Sequence, residues 1–513
     1  MKKIVSINIF ILLSSICYSQ NRDNVWMLGY DFISNNDRCG IDFSSGTPDT
    51  FSVQSPMKFF ITNSSMCDTN SNLLFYTNGQ WIANSNFDTL PNSENFNSGW
   101  ATDSFYTSGL GFTQGVIALH APNEANKYYL FYITGESLFP YHLPTDSTTY
   151  YDGQPFHLSY SVIDMSLDGG LGGIDTFKKN IHAIDDTITL GRLTACKHAN
   201  GRDWWIITSK WYSNTYYKIL ISPDGVSPAY AQQIGSMVYP SDGLRDFDYR
   251  SQAVFSPDGS KYAMVSQSNE LHLYDFDRCS GDLSNFRIAY IDTTNERITA
   301  CSFSPSGRFL YVSGYYNLYQ FDTWNPDLQA SQELVAQWDS TVDSVFGIQQ
   351  LFFTHQLAPD GKIYINNFGG SRTMHVIDSP DIQGMLCNVQ QHSFTLPNYN
   401  SSIPNFPNYD LGALVGSVCD TLTTINSIPI FFAITVFPNP AKDYFTINYD
   451  FQNIKKADFV LYNALGEMVL KEKLYGVFKT LVVHTENLST GIYYYHITDN
   501  ESEFYNGKVS LVK

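Results

Sequence analysis

The chain has 513 residues, which exceeds one ordinary domain and predicts two or more. Its formal net charge of −19 argues against nucleic acid or an anionic membrane as a partner, because binding to phosphate needs clustered Lys and Arg. Aromatic residues make up 15% of the chain, and the abundance of Tyr and Phe favours strands over helices.

The first 20 residues have the pattern of a Sec signal peptide. Lys2 and Lys3 supply positive charge, and the apolar stretch that follows, residues 4–16, is too short to span a bilayer. We expect cleavage after Ser19 or Gln20. No later apolar run reaches the ~20 residues that a membrane helix needs, so the sequence predicts no transmembrane segment.

Seven cysteines follow this segment, and export would allow them to form disulfides. No C-x-x-C pair is present, so the sequence predicts neither a redox motif nor a zinc ribbon. Buried free thiols are an equally good interpretation for most of them. The pairings that chain order makes plausible are Cys39–Cys67, Cys279–Cys301 and Cys387–Cys419.

Residues 21–420 contain a repeated turn followed by a strand. Three copies begin at Phe255-Ser-Pro-Asp-Gly, Phe303-Ser-Pro-Ser-Gly and Leu357-Ala-Pro-Asp-Gly, and each precedes a run of aromatic and β-branched residues. A weaker copy contains Gly201. Successive turn glycines are 58, 48 and 54 residues apart, a period typical of propeller blades: Gly201, Gly259, Gly307 and Gly361.

Six blade signals are readable along the chain. The strands near Trp26 and Gly40 are expected to share a further blade with the late strands near Val389 and Ser393, which would close the ring and remove exposed sheet edges. We therefore predict an all-β fold with a β-propeller at residues 21–420. Seven blades are favoured, and six or eight remain possible.

Motifs of common hydrolases and metalloenzymes are absent from the sequence. There is no Gly-x-Ser-x-Gly, and the eleven histidines include no His-Glu-x-x-His. Asp68-x-Asn-x-Asn begins like a calcium loop, yet Leu73 and Gly79 stand where that loop needs Gly and Glu, so a strand turn is preferred. The sequence therefore predicts no catalytic residue, no cofactor and no metal site.

Aromatic residues near predicted loops are the candidates for ligand binding. Such rings can stack on a sugar or anchor a protein partner, whereas packing between blades is the alternative use of the same residues. The candidates are Trp81, Trp100, Trp211, Tyr212, Tyr315 and Tyr316.

The last eighty or so residues carry an ordered set of motifs. Val436-Phe-Pro-Asn-Pro opens the set, and Gly507-Lys-Val-Ser-Leu-Val-Lys ends it. The alternating runs between them predict a small Ig-like β-sandwich at residues 436–513, after a linker at 421–435. The pattern resembles the type A C-terminal sorting domain of the type IX secretion system of Bacteroidota. The residues that carry the resemblance are Pro438, Asn439, Pro440, Gly466, Gly491, Tyr493, Lys508 and Lys513.

The propeller segment is itself similar to WD40-like secreted propellers of the same phylum. The similarity lies in the order of Trp26-Met-Leu-Gly, Asn72-Leu-Leu-Phe-Tyr, Lys197-His-Ala-Asn-Gly and the Pro-Asp-Gly turns. It implies no particular activity. The sorting-domain resemblance implies recognition by the secretion machinery and a mature protein that is secreted or held at the outer-membrane cell surface.

The leading hypothesis is a non-enzymatic binding or adhesion module that recognises a glycan or a protein through propeller loops. The alternative is an extracellular hydrolase or lyase that acts on polysaccharide with carboxylates at the mouth of the central channel. Titratable groups that converge on one channel mouth would favour the enzyme. An aromatic patch without such a cluster would favour the binder.

Overall fold

The computed structural model describes residues 21–30, 36–142, 149–237, 251–266, 268–291, 297–420, 435–450, 456–475, 478–499 and 502–513. The predicted signal peptide and all but the last residue of the predicted linker lie outside these ranges. The chain divides into two compact units, residues 1–422 and 423–513. Among the described residues, no helix combines the length and the hydropathy needed to cross a lipid bilayer.

The described part of the first unit contains seven antiparallel sheets of three to five strands, which we call blades 1 to 7 in chain order. Blades 1 and 2 have three strands each: β1 (Val25–Leu28), β2 (Asp37–Asp42) and β3 (Asp49–Gln54), then β4 (Ser64–Cys67), β5 (Leu73–Thr77) and β6 (Ile82–Asn84). Before blade 3 lies a short helix, α1 (Trp100–Phe105).

Blade 3 carries an inserted hairpin and two short edge strands. Its elements are β7 (Val116–His120), β8 (Lys127–Tyr132), the hairpin β9 (Ser137–His142) and β10 (Thr149–Gln154), β11 (His157–Asp164), and the edge strands β12 (Gly173–Ile174) and β13 (Ile181–Asp185), both paired with β11. Blade 4 likewise has two edge strands on its third strand: β14 (Thr194–Lys197), β15 (Trp204–Ser209), β16 (Thr215–Ser222), β17 (Gly225–Val226) and β18 (Tyr230–Gln233).

Blades 5 to 7 have four strands each in the order of the chain. They are β19 (Ala253–Phe255), β20 (Lys261–Ser266), β21 (Glu270–Phe276) and β22 (Leu283–Tyr290); β23 (Ala300–Phe303), β24 (Phe309–Ser313), β25 (Asn317–Asp322) and β26 (Glu333–Gln337); and β27 (Phe352–Leu357), β28 (Ile363–Asn367), β29 (Ser371–Ile377) and β30 (Val389–Asn400). Short 3₁₀ turns occupy Asp168–Gly170, Gln329–Ser331 and Gly384–Cys387.

The repeated glycine turns join the first and second strands of blades 4 to 7. Gly259 and Gly307 both have a φ of 71°, in the left-handed region that glycine adopts without steric cost. The first strands of neighbouring blades contact each other, as β19, β23 and β27 show. Buried side chains fill the space between consecutive blades and form separate clusters between blades 4 and 5, 5 and 6, and 6 and 7. The predicted β-propeller is confirmed, with seven blades in the described residues.

The predicted sharing of one blade between the chain ends is wrong. β30 pairs with β29 and completes blade 7, because the connection at 378–388 brings the chain back alongside β29, with Asp378 N–H donating to Asn388 O at 3.2 Å. β30 then packs against β2 and β3 of blade 1 without joining their sheet. One backbone bond, from Tyr30 N–H to Tyr399 O at 2.8 Å, marks this contact between the first and last blades.

After β30 the chain crosses the centre of the propeller as a segment that we call the strap, residues 401–420. Ser402 lies beside Asn63, directly before β4, with 3.1 Å between Oγ and Nδ2. Farther along, Asn408 Nδ2 donates to Pro257 O in the glycine turn of blade 5 at 2.7 Å. The strap therefore runs from one end of the channel to the other.

A disulfide joins the end of the strap to blade 5. Cys419 is bonded to Cys279, which lies in the turn between β21 and β22. The three pairings expected from chain order are therefore wrong, because the strap brings together two residues that are 140 positions apart. The other described cysteines are buried free thiols: Cys39, Cys67, Cys196, Cys301 and Cys387.

The second unit is a two-sheet sandwich, as predicted. One sheet contains β31 (Thr435–Phe437), β32 (Tyr444–Asp450) and β35 (Phe478–His484); the other contains β33 (Lys456–Tyr462), β34 (Met468–Tyr475), β36 (Gly491–Asp499) and β37 (Ser502–Leu511). Phe445 and Ile447 of the first sheet pack on Phe459 and Ile497 of the second, and all four are fully buried. Since each such side chain stabilises the fold by about 1.5–3 kcal/mol, this core accounts for a separately compact unit.

Candidate functional site

The two ends of the propeller carry different kinds of loop. Because neighbouring strands are antiparallel, the turns between first and second strands lie at one end, and the hairpins between second and third strands lie at the other. We call these the glycine-turn end and the hairpin end of blades 2 to 7. Five of the six candidate aromatic residues lie in or beside second-to-third-strand hairpins of blades 2, 4 and 6: Trp81, Trp211, Tyr212, Tyr315 and Tyr316.

The sixth candidate, Trp100, begins α1 at the same end. Ala101 N–H donates to Gly135 O at 3.0 Å, close to where β8 finishes, and this bond holds α1 against the hairpin end of blade 3. The structure does not gather the six residues into one cluster. Each is half-buried and packs locally, as in the pair Trp211 and Tyr212, whose ring centroids are 4.1 Å apart.

One of the candidates lines a large cleft. Blade 2 lacks a regular fourth strand, and the chain from residue 85 to α1 instead folds as an irregular connection beside the β5–β6 hairpin. Between them lies a cavity of about 490 Å³. We call it the Trp81 cleft, and its side chains include Gln80, Trp81, Pro91, Glu94, Asn95 and Asp103.

Polar groups surround the indole ring of this cleft. Gln80 is held in place because its Nε2 donates to Thr102 O and its Oε1 accepts from Gly109 N–H, each at 3.0 Å. Asn95 and Asp103 are exposed at the rim. Glu94 is also exposed and lies 3.7 Å from Lys179 Nζ. The arrangement combines a fixed amide, an aromatic wall and exposed hydrogen-bonding groups.

Of the residues that line the cleft, the sequence pattern points to Trp81 but not to Glu94, Asn95 or Asp103. Glu94 and Asn95 lie in a polar connection without strand or helix periodicity, and Asp103 lies in the short helix α1, so no pattern relates them to Trp81. The only available signal was the length of that connection, residues 85–99 between β6 and α1, which is well beyond the usual four to six residues in a compact domain.

The central channel, by contrast, is nearly filled by the strap. A cavity of about 60 Å³ lies between the first strands of blades 4 to 7 and residues 405–408. Its polar lining includes Gln114, His355 and Asn405, and none of the described residues that line it is a carboxylate. A volume of this size holds a few water molecules and excludes a sugar ring.

Titratable side chains do collect near the channel at the glycine-turn end. Lys197, at the end of β14, is 1% exposed, and its Nζ lies 3.3 Å from His120 Nε2 and 4.7 Å from the ring centroid of Trp204. Burial lowers the pKa of Lys197 to about 8. Burial and the charge of Lys197 together lower the pKa of His120 to about 3. Desolvation and the charge of Asp410 raise the pKa of Asp23 to about 7.

Buried neutral histidines should make the propeller sensitive to acid. Burial lowers the pKa of His355 from 6.5 to about 3, so between these values the unfolded chain binds a proton that the folded chain does not. Stability is therefore full above pH 6.5 and is lost as the pH falls toward 3. At pH 5 the free energy of unfolding should be about 2 kcal/mol lower than at pH 7 because of this one residue.

His355→Gln tests this expectation through urea unfolding at pH 7 and pH 5. All eight tryptophans lie between residues 26 and 338, so their fluorescence reports on the propeller alone. The loss of unfolding free energy between the two pH values should be smaller in the variant by about 2 kcal/mol. An equal loss in both chains would contradict burial as the cause.

The residues that carry the sorting-domain resemblance lie in the second unit. Asn439 of the Pro-Asn-Pro motif donates through Nδ2 to Lys508 O at 3.0 Å and accepts from Ser510 N–H at 2.9 Å, so the first and last motifs are hydrogen-bonded to each other. Tyr493 is buried and donates to Ser489 O at 2.9 Å. Gly466 has a φ of 79° in the β33–β34 turn.

Residues 435–510 match the family described as the secretion system C-terminal sorting domain. This match agrees with the predicted type IX sorting domain at the end of the chain. Such a domain implies interaction with the secretion machinery and export to the cell surface or the medium. None of the curated proteins matches the chain.

Several solved structures are similar to the chain at low identity. A putative 6-phosphogluconolactonase from Bacteroides uniformis is 13% identical, with 76% of this chain and 98% of that chain covered and a TM-score of 0.37. The Cps50 (Swd1) β-propeller domain of Myceliophteria thermophila is 9% identical, with 70% and 86% covered and a TM-score of 0.29. Kluyveromyces lactis Hsv2 is 12% identical, with 70% and 90% covered and a TM-score of 0.33. The propeller assignment accordingly rests on the strand topology, and no activity follows from these similarities.

Proposed function

We propose that this propeller, carried out of the cell by its sorting domain, is a binding module that recognises a glycan at the Trp81 cleft. The observation that carries the proposal is the contrast in volume between the cleft, about 490 Å³, and the channel cavity, about 60 Å³. Of these two, the cleft falls in the range of about 300–1,000 Å³ typical of small-ligand sites.

The chemistry of the cleft suits a sugar. The apolar C–H face of a pyranose stacks on an indole, and its hydroxyl groups donate to carboxylates and exchange hydrogen bonds with amides. Trp81 supplies the ring, Asn95 the amide, and Glu94 and Asp103 the carboxylates. Because the two carboxylates and the net charge of −19 disfavour an anionic ligand, we expect a neutral glycan.

Delivery to the outside of the cell fits such a ligand. We propose that residues 1–20 act as a Sec signal peptide, that the bacterium belongs to the Bacteroidota, and that the mature chain is secreted or held at the outer-membrane surface. The other five candidate aromatic residues share the hairpin end with the cleft, so a long glycan or a protein partner could reach several of them at once.

An enzyme acting on polysaccharide is the second candidate, and the titratable groups near Asp23 and Lys197 favour it. Their burial counts against it, since the Lys197 side chain is 1% exposed and its Nζ approaches His120 and the Trp204 ring. Tyr409 of the strap also covers this region, because its ring contacts Trp204 at 5.8 Å. A substrate would have to displace these contacts to reach the cluster.

Glycan-array screening of the full chain, followed by titration with the best ligand, tests the proposal. Trp81→Ala should weaken binding at least about tenfold, which corresponds to about 1.4 kcal/mol of lost stacking. Asp103→Asn, at the exposed rim, should also weaken binding and serves as the variant that leaves the buried packing of Trp81 untouched.

The matched control is Trp324→Ala. Trp324 is 64% exposed and follows β25, so it lies at the glycine-turn end, away from the cleft. Affinity should stay unchanged in this variant. A chain that binds no glycan, or whose affinity survives both cleft substitutions, contradicts the proposal. Release of reducing ends from the bound glycan would instead establish the enzyme.

A further inference from the structure

Two histidines and an aspartate meet on the outer edge of blade 3. His157 begins β11, and Asp185 ends β13 directly opposite it in the sheet. His182 lies three positions before Asp185, a spacing that would put the two side chains on opposite faces of a regular strand. The register shifts between Leu158 and Ser159, so that Ala183 is an extra residue in β13. This bulge turns His182 to the face that carries His157 and Asp185.

The three side chains are close enough to share one ion. Asp185 Oδ1 lies 2.8 Å from His157 Nδ1 and 3.1 Å from His182 Nδ1. The two imidazole ring centroids are 3.7 Å apart, and all the potential ligand atoms lie within 4.8 Å of one another. In a tetrahedral zinc site with bonds of about 2.0–2.1 Å, neighbouring ligand atoms are roughly 3.3 Å apart. Widening the contacts by a few tenths of an ångström would therefore accommodate the metal.

The surroundings leave these ligand atoms available. His182 and Asp185 are exposed and His157 is half-buried, so the pairing of the two rings is not a consequence of core packing. The neighbouring carboxylate of Asp186 is engaged elsewhere, by Lys210 Nζ at 2.6 Å and by the hydroxyl group of Tyr217. The cluster is the one group of three or more potential metal ligands in the described part of the chain.

We propose that His157, His182 and Asp185 bind a zinc ion. Two imidazole nitrogens and one carboxylate oxygen form a donor set that borderline divalent ions such as Zn²⁺ prefer, whereas Ca²⁺ and Mg²⁺ take mainly oxygen ligands. Three protein ligands on an exposed edge leave the fourth position to water or to an external ligand. The ion would hold the edge strand β13 to β11, which is its only strand partner among the described residues.

The test uses the tag-free full chain after a chelator has removed bound metal. Calorimetry follows its titration with zinc, and metal analysis after dialysis gives the amount of zinc retained. The wild-type chain should bind one zinc ion. His182→Ala and Asp185→Asn should each reduce the affinity for zinc by more than about tenfold. Co²⁺ should occupy the same site and give the visible absorption of a four-coordinate ion, while Ca²⁺ and Mg²⁺ should not compete.

His392→Ala is the matched control. His392 also faces a carboxylate, with 3.2 Å between Nε2 and Asp339 Oδ1, but this pair belongs to no three-residue group among the described residues. The His392→Ala variant should bind zinc with the same affinity and stoichiometry as the wild-type chain. Circular dichroism of each metal-free variant verifies that it folds. A wild-type chain without stoichiometric zinc, or cluster variants with wild-type affinity, would overturn the proposal.

Discussion

Deletion of residues 436–513 should trap the protein in the periplasm and abolish its appearance at the cell surface. The deleted segment forms most of a separately compact unit with its own buried core. It also contains both sorting motifs, which hydrogen bonds between Asn439 and the last strand hold together. Removal therefore takes away the whole recognition element, while the propeller keeps its strap and all seven blades.

Fractionation of a type IX-competent bacterium that expresses the truncated chain measures this outcome. The reciprocal control joins residues 435–513 to a periplasmic reporter protein, which should then be exported. The folded state of the retained propeller can be verified by its resistance to protease. Normal surface delivery of the truncated chain would refute the sorting assignment.

Asn405→Ala should destabilise the propeller by about 3 kcal/mol or more. The Asn405 side chain is 6% exposed, and its Nδ2 donates to Val116 O and to Leu193 O, each at 2.9 Å. Its Oδ1 accepts from Gln114 Nε2 at 3.3 Å, and Gln114 in turn bonds the backbone of Ala253. One side chain thus connects blades 3, 4 and 5. Each buried group left without its partner costs about 1–3 kcal/mol.

Asn408→Ala provides the matched comparison three residues farther along the strap. Asn408 is exposed, donates to Pro257 O and accepts from Asp410 N–H at 3.0 Å, two residues away in the chain. Its removal should cost less than about 1 kcal/mol, as is usual for a surface residue. Urea unfolding followed by tryptophan fluorescence measures both variants. Equal losses in the two chains would show that the bonds of Asn405 contribute no more than a surface contact.

The blades were predictable because their information is local. In blades 5 to 7 the Pro-Asp-Gly or Pro-Ser-Gly turn and the strand after it are neighbours in the sequence, and turn chemistry determines where each hairpin bends. The alternating strands of the sorting domain were readable for the same reason. The position of β30 was not, since the sequence near Val389 fits either blade 7 or blade 1, and its pairing with β29 is a strand contact that the sequence pattern does not specify.

The strap and the candidate sites depend on contacts that sequence patterns do not encode. Asn405 bonds carbonyl groups 289 and 212 positions away, and its own surroundings have no strand or helix periodicity. The correct partner of Cys279 follows from the course of the strap. His182 joins His157 only because of a bulge in the register of β13, and a single extra residue of this kind leaves no signature in one sequence.

The strap also sets an order of events during synthesis. Chains emerge from the ribosome N-terminus first, so blades 1 to 7 are available before residues 401–409 that bind between them. Tyr409 donates to Ala118 O across 291 positions, and such a long-range contact forms late because its loop must close first. The side chains that fill the centre of the propeller are therefore all present only after the chain has been synthesised to about residue 409, shortly before the sorting domain.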